Sequence, residues 1–214
     1  MSNRASHDNP SSSLSRELIA AKALELADRE GIENISMRKL ASELGKTAMA
    51  LYRYFDSIED IRVSVVALAF TEVDSNAIPG ERWDDTIRRT TSSIRDMYLR
   101  HARANLAFVH MSGNSPAFAA HIERIYTLHT AQGIPPQILD KAWRLIDAFL
   151  TGFLFNECME LQSARERLSG NESQWHNAVT GAYSDEAFRN GIDIILEGIA
   201  ALAAPDSADW HTPM

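Results

Sequence analysis

The chain has 214 residues, and 45% of them are hydrophobic, which excludes a chain that is disordered throughout. Its net charge of −8 excludes nucleic-acid binding by general basicity, so any such binding requires basic residues gathered on one surface. A single cysteine, Cys158, excludes an intramolecular disulfide, and the lack of a signal-peptide core or of a run of about 18 apolar residues predicts a cytoplasmic protein without a membrane span.

Helical signals dominate the chain, and no strand-like alternation of apolar and polar residues persists long enough to compete with them. Glycine, proline and capping side chains mark the boundaries; Ser36 and Thr47, for example, are expected to cap the second and third helices, with Gly45 between them. The predicted helices cover, in chain order, residues 15–30, 37–44, 48–55, 57–75, 83–101, 104–111, 116–132, 136–168, 173–181 and 185–204. The sequence therefore predicts an all-α fold.

The segment from Ser36 to Phe55 contains two short amphipathic helices joined by a tight turn at Gly45, which is the layout of a helix-turn-helix. Short side chains at the start of its second helix permit close approach to base edges, and Arg38 is the candidate for a guanine contact. The predicted DNA-contacting residues are Arg38, Lys46, Thr47, Ala48, Met49, Tyr52 and Arg53. Helix pairs with a glycine turn also occur in domains that bind no DNA, so periodicity alone leaves both interpretations open.

The identities of the residues favour DNA binding more strongly than their periodicity does, because this segment resembles the TetR family of bacterial repressors. The similarity begins at Ile19, runs through MRKLASELG and the LYRYF motif, and ends with the IEDI of the fourth predicted helix. Two positions depart from the family pattern. Lys46 follows the turn glycine where an apolar residue is usual, and Ile58 replaces a lysine that touches phosphate in many members. We hypothesise that Lys46 supplies the missing phosphate contact.

The resemblance implies a dimer with two kinds of domain. The predicted units are a disordered arm over residues 1–13, a helix-turn-helix DNA-binding domain over 14–56, a helical regulatory and dimerisation domain over 57–204, and a flexible tail over 205–214. The expected partners are double-stranded operator DNA, a second copy of the chain and a partly apolar small-molecule effector, and no cofactor is expected. Effector binding is expected to move the fourth helix, which joins the two domains, and so to lower operator affinity.

Candidate effector contacts are spread over the helices between residues 97 and 156, which combine apolar side chains with a few polar ones, as ligand sites do. They are Met97, His101, Phe108, His110, His121, Tyr126, Trp143, Phe149, Phe153 and Asn156. Each aromatic or methionine side chain in this set is also explained as ordinary core, and that alternative stays open.

The last two long helices are the candidates for dimerisation. The final helix carries apolar residues at alternating intervals of four and three, a heptad-like pattern, and the helix before it is apolar on several faces. The predicted interface residues are Phe149, Phe153, Ile192, Ile195, Ile199 and Leu202. The alternative is that these residues form only the core of a monomer.

An enzyme is the competing class of protein, and the sequence offers little support for it. His121 and His129 lie two helical turns apart without the spacing of a known metal motif, and no phosphate-binding glycine loop is present. Ser115 precedes Pro116 as a helix cap rather than as a nucleophile. Neither catalytic residues nor a metal site are predicted. A helical interaction protein without DNA binding is a third interpretation, which Lys46 and Ile58 keep open.

Overall fold

The computed structural model describes residues 14–104, 116–132, 134, 136–167 and 182–203, and the regular secondary structure within these residues is helical, as predicted. The helices are α1 Arg16–Glu30, α2 Met37–Glu43, α3 Ala48–Leu51, α4 Ile58–Phe70, α5 Trp83–Arg100, α6 Pro116–Ala131, α7 Pro136–Arg167 and α8 Asp185–Ala203, with a 3₁₀ turn at Ile32–Asn34. The predicted arm over residues 1–13, the tail over 205–214 and, apart from Ala104, the predicted helices over 104–111 and 173–181 lie outside the described residues.

Serine side chains fix the starts of three helices near the N-terminus. Ser15, Ser36 and Ser57 each accept a hydrogen bond from the backbone N–H three residues later, at 3.1 to 3.3 Å. Such caps supply a partner to an N–H group that has none within the helix. The predicted cap at Ser36 is confirmed. Thr47 is the N-cap residue of α3, as predicted, and is extended there, but its side chain makes no capping hydrogen bond.

Two helices end earlier than predicted. The carbonyl of Leu51 accepts the N–H groups of both Tyr54 and Phe55, at 2.9 and 3.1 Å, so α3 tightens into a turn after one helical turn. The Thr71 hydroxyl donates to the carbonyl of Leu68 at 2.6 Å, and the backbone after Phe70 bonds three residues back rather than four. This tighter winding ends α4 at Phe70 instead of near residue 75.

A single hydrophobic core runs from the N-terminal helices α1–α3 into the C-terminal helices. The apolar side of α1, including Ile19 and Leu26, packs against α4, and Phe70 at the end of α4 contacts Tyr98 of α5 with ring centroids 6.5 Å apart. The cluster continues through α5 and α7 to α8. Because α4 and α5 belong to the shared core, a displacement of either changes the packing of the N-terminal helices. None of the described helices is long and apolar enough to cross a membrane.

Helices α7 and α8 pack through aromatic rings. Phe149 and Phe153 of α7 lie with their ring centroids 5.9 and 5.5 Å from that of Phe188 on α8. Arg95 of α5 adds an ionic contact, because its guanidinium binds both carboxylate oxygens of Glu157 on α7, at 2.6 and 2.9 Å. The three helices α5, α7 and α8 therefore form one packed unit.

Candidate functional site

The turn between α2 and α3 has a geometry that requires glycine. Gly45 has a φ of +63°, in the left-handed region, whereas a Cβ atom there would meet nothing within 4 Å. The N–H of Gly45 donates to the backbone oxygen of Ser42 at 3.0 Å, and the N–H of Lys46 donates to the backbone oxygen of Ala41 at 2.8 Å. These are the two hydrogen bonds of a Schellman motif at a helix end. Backbone conformation, rather than lack of space, therefore requires glycine at this position.

Helix α3 is oriented by two buried side chains. Leu51 is fully buried and Phe55 is 1% exposed, and both belong to the core. Met49 is 73% exposed and Tyr52 is 48% exposed, and residues three apart share one side of a helix. The buried side chains thus turn Met49 and Tyr52 outward together.

The basic side chains of the N-terminal helices divide into two groups. Five of the eight Lys and Arg residues within 14–62 are held by carboxylates or backbone oxygens: Arg16, Lys22, Arg29, Lys39 and Arg62. The other three, Arg38, Lys46 and Arg53, are exposed and make no ion pair or hydrogen bond with any described residue. All three belong to residues 37–55, which we call the α2–α3 unit. Its one carboxylate, Glu43, pairs with Arg29 at 2.7 Å, so positive charge on this surface is uncompensated.

All the residues predicted to contact DNA therefore lie in one structural unit. Those that are exposed are Arg38, Lys46, Thr47, Met49, Tyr52 and Arg53, and Ala48 is half-buried against the core. The exposed set combines unpaired cations with an apolar side chain, a hydroxyl and a phenol. Such a surface suits a polyanion whose base edges carry methyl groups and hydrogen-bonding atoms.

The residues predicted for the effector site are distributed over several places. Phe108 and His110 lie outside the described residues. Met97 is fully buried in α5, and Tyr126 of α6 is half-buried against the core. Phe149 and Phe153 belong to the contact between α7 and α8 described above. The described members of the set thus lie on α5, α6 and α7 and in the segment just after α5, and their grouping around an effector stays a prediction.

Asn156 and His101 are placed differently from the prediction. Asn156 is exposed on α7, and its amide donates to the backbone oxygen of Gly152 at 2.7 Å. His101 follows α5, and its two ring nitrogens face carboxylates of Asp28 on α1 and Glu72 beyond α4, at 2.9 and 3.1 Å. Because both nitrogens are occupied, His101 links the N-terminal helices to the C-terminal ones instead of facing an effector.

Helix α6 contains two buried histidines. His121 is 1% exposed, with its ring centroid 4.9 Å from that of Phe70, and His129 is fully buried, 6.1 Å from the ring of Trp143. Burial lowers the pKa of each to about 4, so both rings are neutral at pH 7. Neither ring nitrogen of His129 has a hydrogen-bond partner among the described residues.

His129 is the residue that the sequence analysis missed. It was weighed there only as one half of a metal pair with His121, and the described residues contain no group of three side chains that could hold a metal ion. The charged groups that act on it, Arg89 of α5 and Glu81 just before α5, are about 40 to 50 residues away in the sequence. Only the packing of the helices reveals that its imidazole has no hydrogen-bond partner among the described residues.

The residues predicted for the dimer interface are already used within the monomer. Ile192, Ile195 and Ile199 are 2%, 7% and 3% exposed, so their burial requires no partner, and the Leu202 side chain lies outside the described residues. The neighbouring Ile194 is 69% exposed. The apolar pattern of α8 therefore faces α5 and α7 within the monomer.

A largely exposed stripe of side chains runs along α7. Leu145 and Met159 are 54% and 42% exposed, and with the residues between them they recur at intervals of four and three. The stripe consists of four exposed residues, Leu145, Gly152, Asn156 and Met159, together with Phe149, which is half-buried against Phe188. This spacing is the one that lets two helices pack along each other.

Comparison with known proteins agrees with these features. A family model described as bacterial regulatory proteins, tetR family, matches residues 19–65, and one described as tetracyclin repressor-like, C-terminal domain, matches residues 77–203. The HTH-type transcriptional repressor DrrR1 of Streptomyces coeruleorubidus is 26% identical over 176 residues, which are 81% of this chain and 61% of DrrR1. The chain spans between about half and three fifths of the length of the curated relatives it matches.

Solved structures share the fold. ActR of Streptomyces coelicolor, crystallised with actinorhodin, superposes with a TM-score of 0.70 at 21% identity, over 90% of this chain and 99% of ActR. BioQ with its double-stranded DNA operator superposes with a TM-score of 0.64 at 22% identity, over 88% and 99% of the two chains. These identities show the fold alone. The C-terminal family model covers more than half of the chain, and the chain therefore belongs to the TetR family of bacterial regulatory proteins.

Proposed function

We propose that this protein binds a palindromic operator as a homodimer, represses transcription there, and releases the DNA when a small-molecule effector binds its C-terminal helices. The observation that carries the proposal is the division of cations in the N-terminal helices. Arg38, Lys46 and Arg53 are unpaired and exposed on the α2–α3 unit, while the other five cations within residues 14–62 are held by carboxylates or, for Arg16, by a backbone oxygen. Phosphate contacts by such residues supply most of the affinity of DNA-binding proteins.

Individual roles within the α2–α3 unit follow from position. Ile58, at the start of α4, is half-buried against the core and offers no charge to a phosphate. Lys46, in the exposed turn before α3, is the residue we assign to that contact. Arg38 is assigned to a base, because a guanidinium can bind both acceptor atoms of guanine in the major groove.

Two copies of the chain are needed to read a palindrome, since paired recognition helices must lie about 34–36 Å apart to reach successive major grooves. The α7 stripe and the exposed Ile194 of α8 are the surfaces we assign to the partner. Large exposed apolar side chains arranged along adjoining helices are typical of protein interfaces. Gly152 is exposed within the stripe, and a Cβ atom there would meet nothing within 4 Å of the isolated chain.

We assign the effector site to the surroundings of His129 and Trp143, whose rings lie 6.1 Å apart. A buried polar group without a partner costs about 1–3 kcal/mol, and a ligand that supplies the partner recovers that cost. A neutral imidazole donates at one nitrogen and accepts at the other, so it suits a hydroxyl or carbonyl group on an otherwise apolar, ring-containing molecule. ActR, which shares the fold, has been crystallised with actinorhodin, and this supports a small-molecule effector for this chain.

The proposal is tested by selecting bound fragments from sheared genomic DNA of the source organism with purified protein. We expect a short palindrome to be enriched, with an affinity that falls steeply as salt concentration rises. If the folded, dimeric and effector-free protein enriches no sequence, operator binding is excluded and a protein–protein interaction function is favoured instead.

A further inference from the structure

His101 occupies the junction between the N-terminal helices, α4 and α5. It is 5% exposed, and its Nδ1 lies 2.9 Å from a carboxylate oxygen of Asp28 on α1. Its Nε2 lies 3.1 Å from a carboxylate oxygen of Glu72, two residues beyond α4. One side chain thus contacts all three elements through which a movement in the C-terminal helices would reach the α2–α3 unit. We call these two contacts the His101 bridge.

The chemistry of the His101 bridge demands a second proton. An ionised carboxylate only accepts hydrogen bonds, so each ring nitrogen of His101 must donate. A neutral imidazole has one N–H, and only the imidazolium has two. Loss of the second proton would leave a lone pair facing a carboxylate, which removes one hydrogen bond and both ionic attractions. The bridge therefore holds only while both ring nitrogens of His101 carry a proton.

The charged groups around the bridge do not remove the need for a second proton on the imidazole of His101. On α5, Arg100 forms an ion pair with Glu72, and beyond it Arg103 donates to the backbone oxygen of Arg29 at the end of α1. From α7, the uncharged Gln162 donates to the backbone oxygen of Ala102 at 2.8 Å. Among the described residues, no cation stands between the imidazole and either carboxylate.

We propose that His101, as the imidazolium, is a positioning residue that holds α1 against α4 and α5 and so sets the orientation of the DNA-binding surface. The functional part of this inference rests on the proposed operator binding. A domain held in its binding orientation loses less freedom on association, so the bridged form binds the operator more tightly. Deprotonation, or a displacement of α5 that separates His101 from Asp28 or Glu72, releases the N-terminal helices from that orientation.

The bridge is tested first without DNA, by hydrogen exchange of the full-length protein at about pH 6 and about pH 9 with correction for intrinsic exchange rates. The variants are His101→Gln, which does not titrate, and Asp28→Asn, which keeps the histidine. We expect protection of the C-terminal half of α1 to fall about fivefold more between the two pH values in the wild type than in either variant. Peptides from α8 serve as the internal control. Equal pH dependence in the wild type and both variants would overturn the bridge.

The functional part is tested by operator affinity over the same pH range. We expect the wild type to lose about fivefold more affinity than His101→Gln, and His7→Gln to behave as the wild type, because residue 7 is the one other histidine before His101. A bound operator with the same pH profile in wild type and His101→Gln would overturn the positioning role. If no protein binds an operator while the exchange difference persists, the proposed function fails and the bridge stands.

Discussion

The phenyl ring of Phe149 on α7 fills the space that a Cβ atom on Gly191 of α8 would occupy. The same ring stacks beside Phe188, with ring centroids 5.9 Å apart, so α8 approaches α7 closely at this point. Glycine is required here by lack of space, in contrast to Gly45, where it is required by backbone conformation. The close packing of these two helices therefore determines how the α7 stripe lies relative to Ile194 on α8.

Gly191→Ala is expected to destabilise the protein by about 1–3 kcal/mol, because the added methyl group forces Phe149 or the α8 backbone to move. Gly198→Ala is the matched control in the same helix: its Cβ would meet nothing within 4 Å, and it is expected to be neutral or to stabilise by up to about 1 kcal/mol. Urea denaturation of both variants measures the difference. Equal stability of the two variants would mean that α7 and α8 do not approach as described.

Ile194→Asp is expected to convert the dimer to monomers, because it places a carboxylate within the apolar surface assigned to the partner. Leu161→Asp is the control: Leu161 is 38% exposed on α7 but lies outside the stripe, so the same charge there should leave the dimer intact. Sedimentation velocity at several protein concentrations measures whether each variant is a monomer or a dimer. Dimers in both variants, or monomers in both, would refute the assigned interface.

The sequence predicted the helices well because their boundaries depend on local chemistry. Serine caps, a glycine turn and a proline start act within four residues of the chain, and the corresponding helices are found. The early end of α4 was missed because it depends on the Thr71 hydroxyl bonding back to Leu68, a competition that periodicity does not register. The existence of elements was therefore predictable, while their last turns were not.

The candidate site could be predicted less well than the helices, because its contacts join residues that lie far apart in the sequence. His101 was assigned to the effector, yet its partner Asp28 is 73 residues away in sequence. The apolar pattern of α8 was assigned to a dimer interface, with a monomer core as the alternative, because spacing cannot say which surface covers an apolar face. The burial of Ile192, Ile195 and Ile199 within the single chain becomes visible only once the helices are packed.

Stability is expected to fall between about pH 6.5 and pH 4. Burial lowers the pKa of His121 and His129 to about 4, so the unfolded chain takes up protons in this range before the folded one does. The stabilisation is complete above about pH 6.5 and is lost as the pH falls. His129→Leu removes one of the two groups, and we expect its loss of unfolding free energy between about pH 7 and pH 5 to be smaller by roughly 2 kcal/mol.

Urea denaturation at the two pH values checks this expectation. The variant should also be more stable than the wild type at pH 7, since leucine has no unpartnered polar atoms. An unchanged pH dependence in His129→Leu would show that the imidazole is solvated in the folded protein.

Arg38→Ala is expected to relax operator specificity at one base pair of each half-site, with a loss of about 1–3 kcal/mol for the preferred base. Competition binding with operators substituted one base pair at a time measures this. A uniform loss across all substituted operators would instead make Arg38 a phosphate contact, and its assigned role would pass to another residue of the α2–α3 unit.

The central claim, that the unpaired cations of the α2–α3 unit bind DNA, is tested most directly by the salt dependence of operator affinity. The variants are Lys46→Ala and Arg53→Ala, and the controls are Lys22→Ala and Arg62→Ala, whose side chains pair with Glu25 and Glu59. For each phosphate contact removed, we predict that the slope of log affinity against log salt becomes shallower by about 1, with no change in the controls. Unchanged slopes in both variants, or equal changes in variants and controls, would contradict the account.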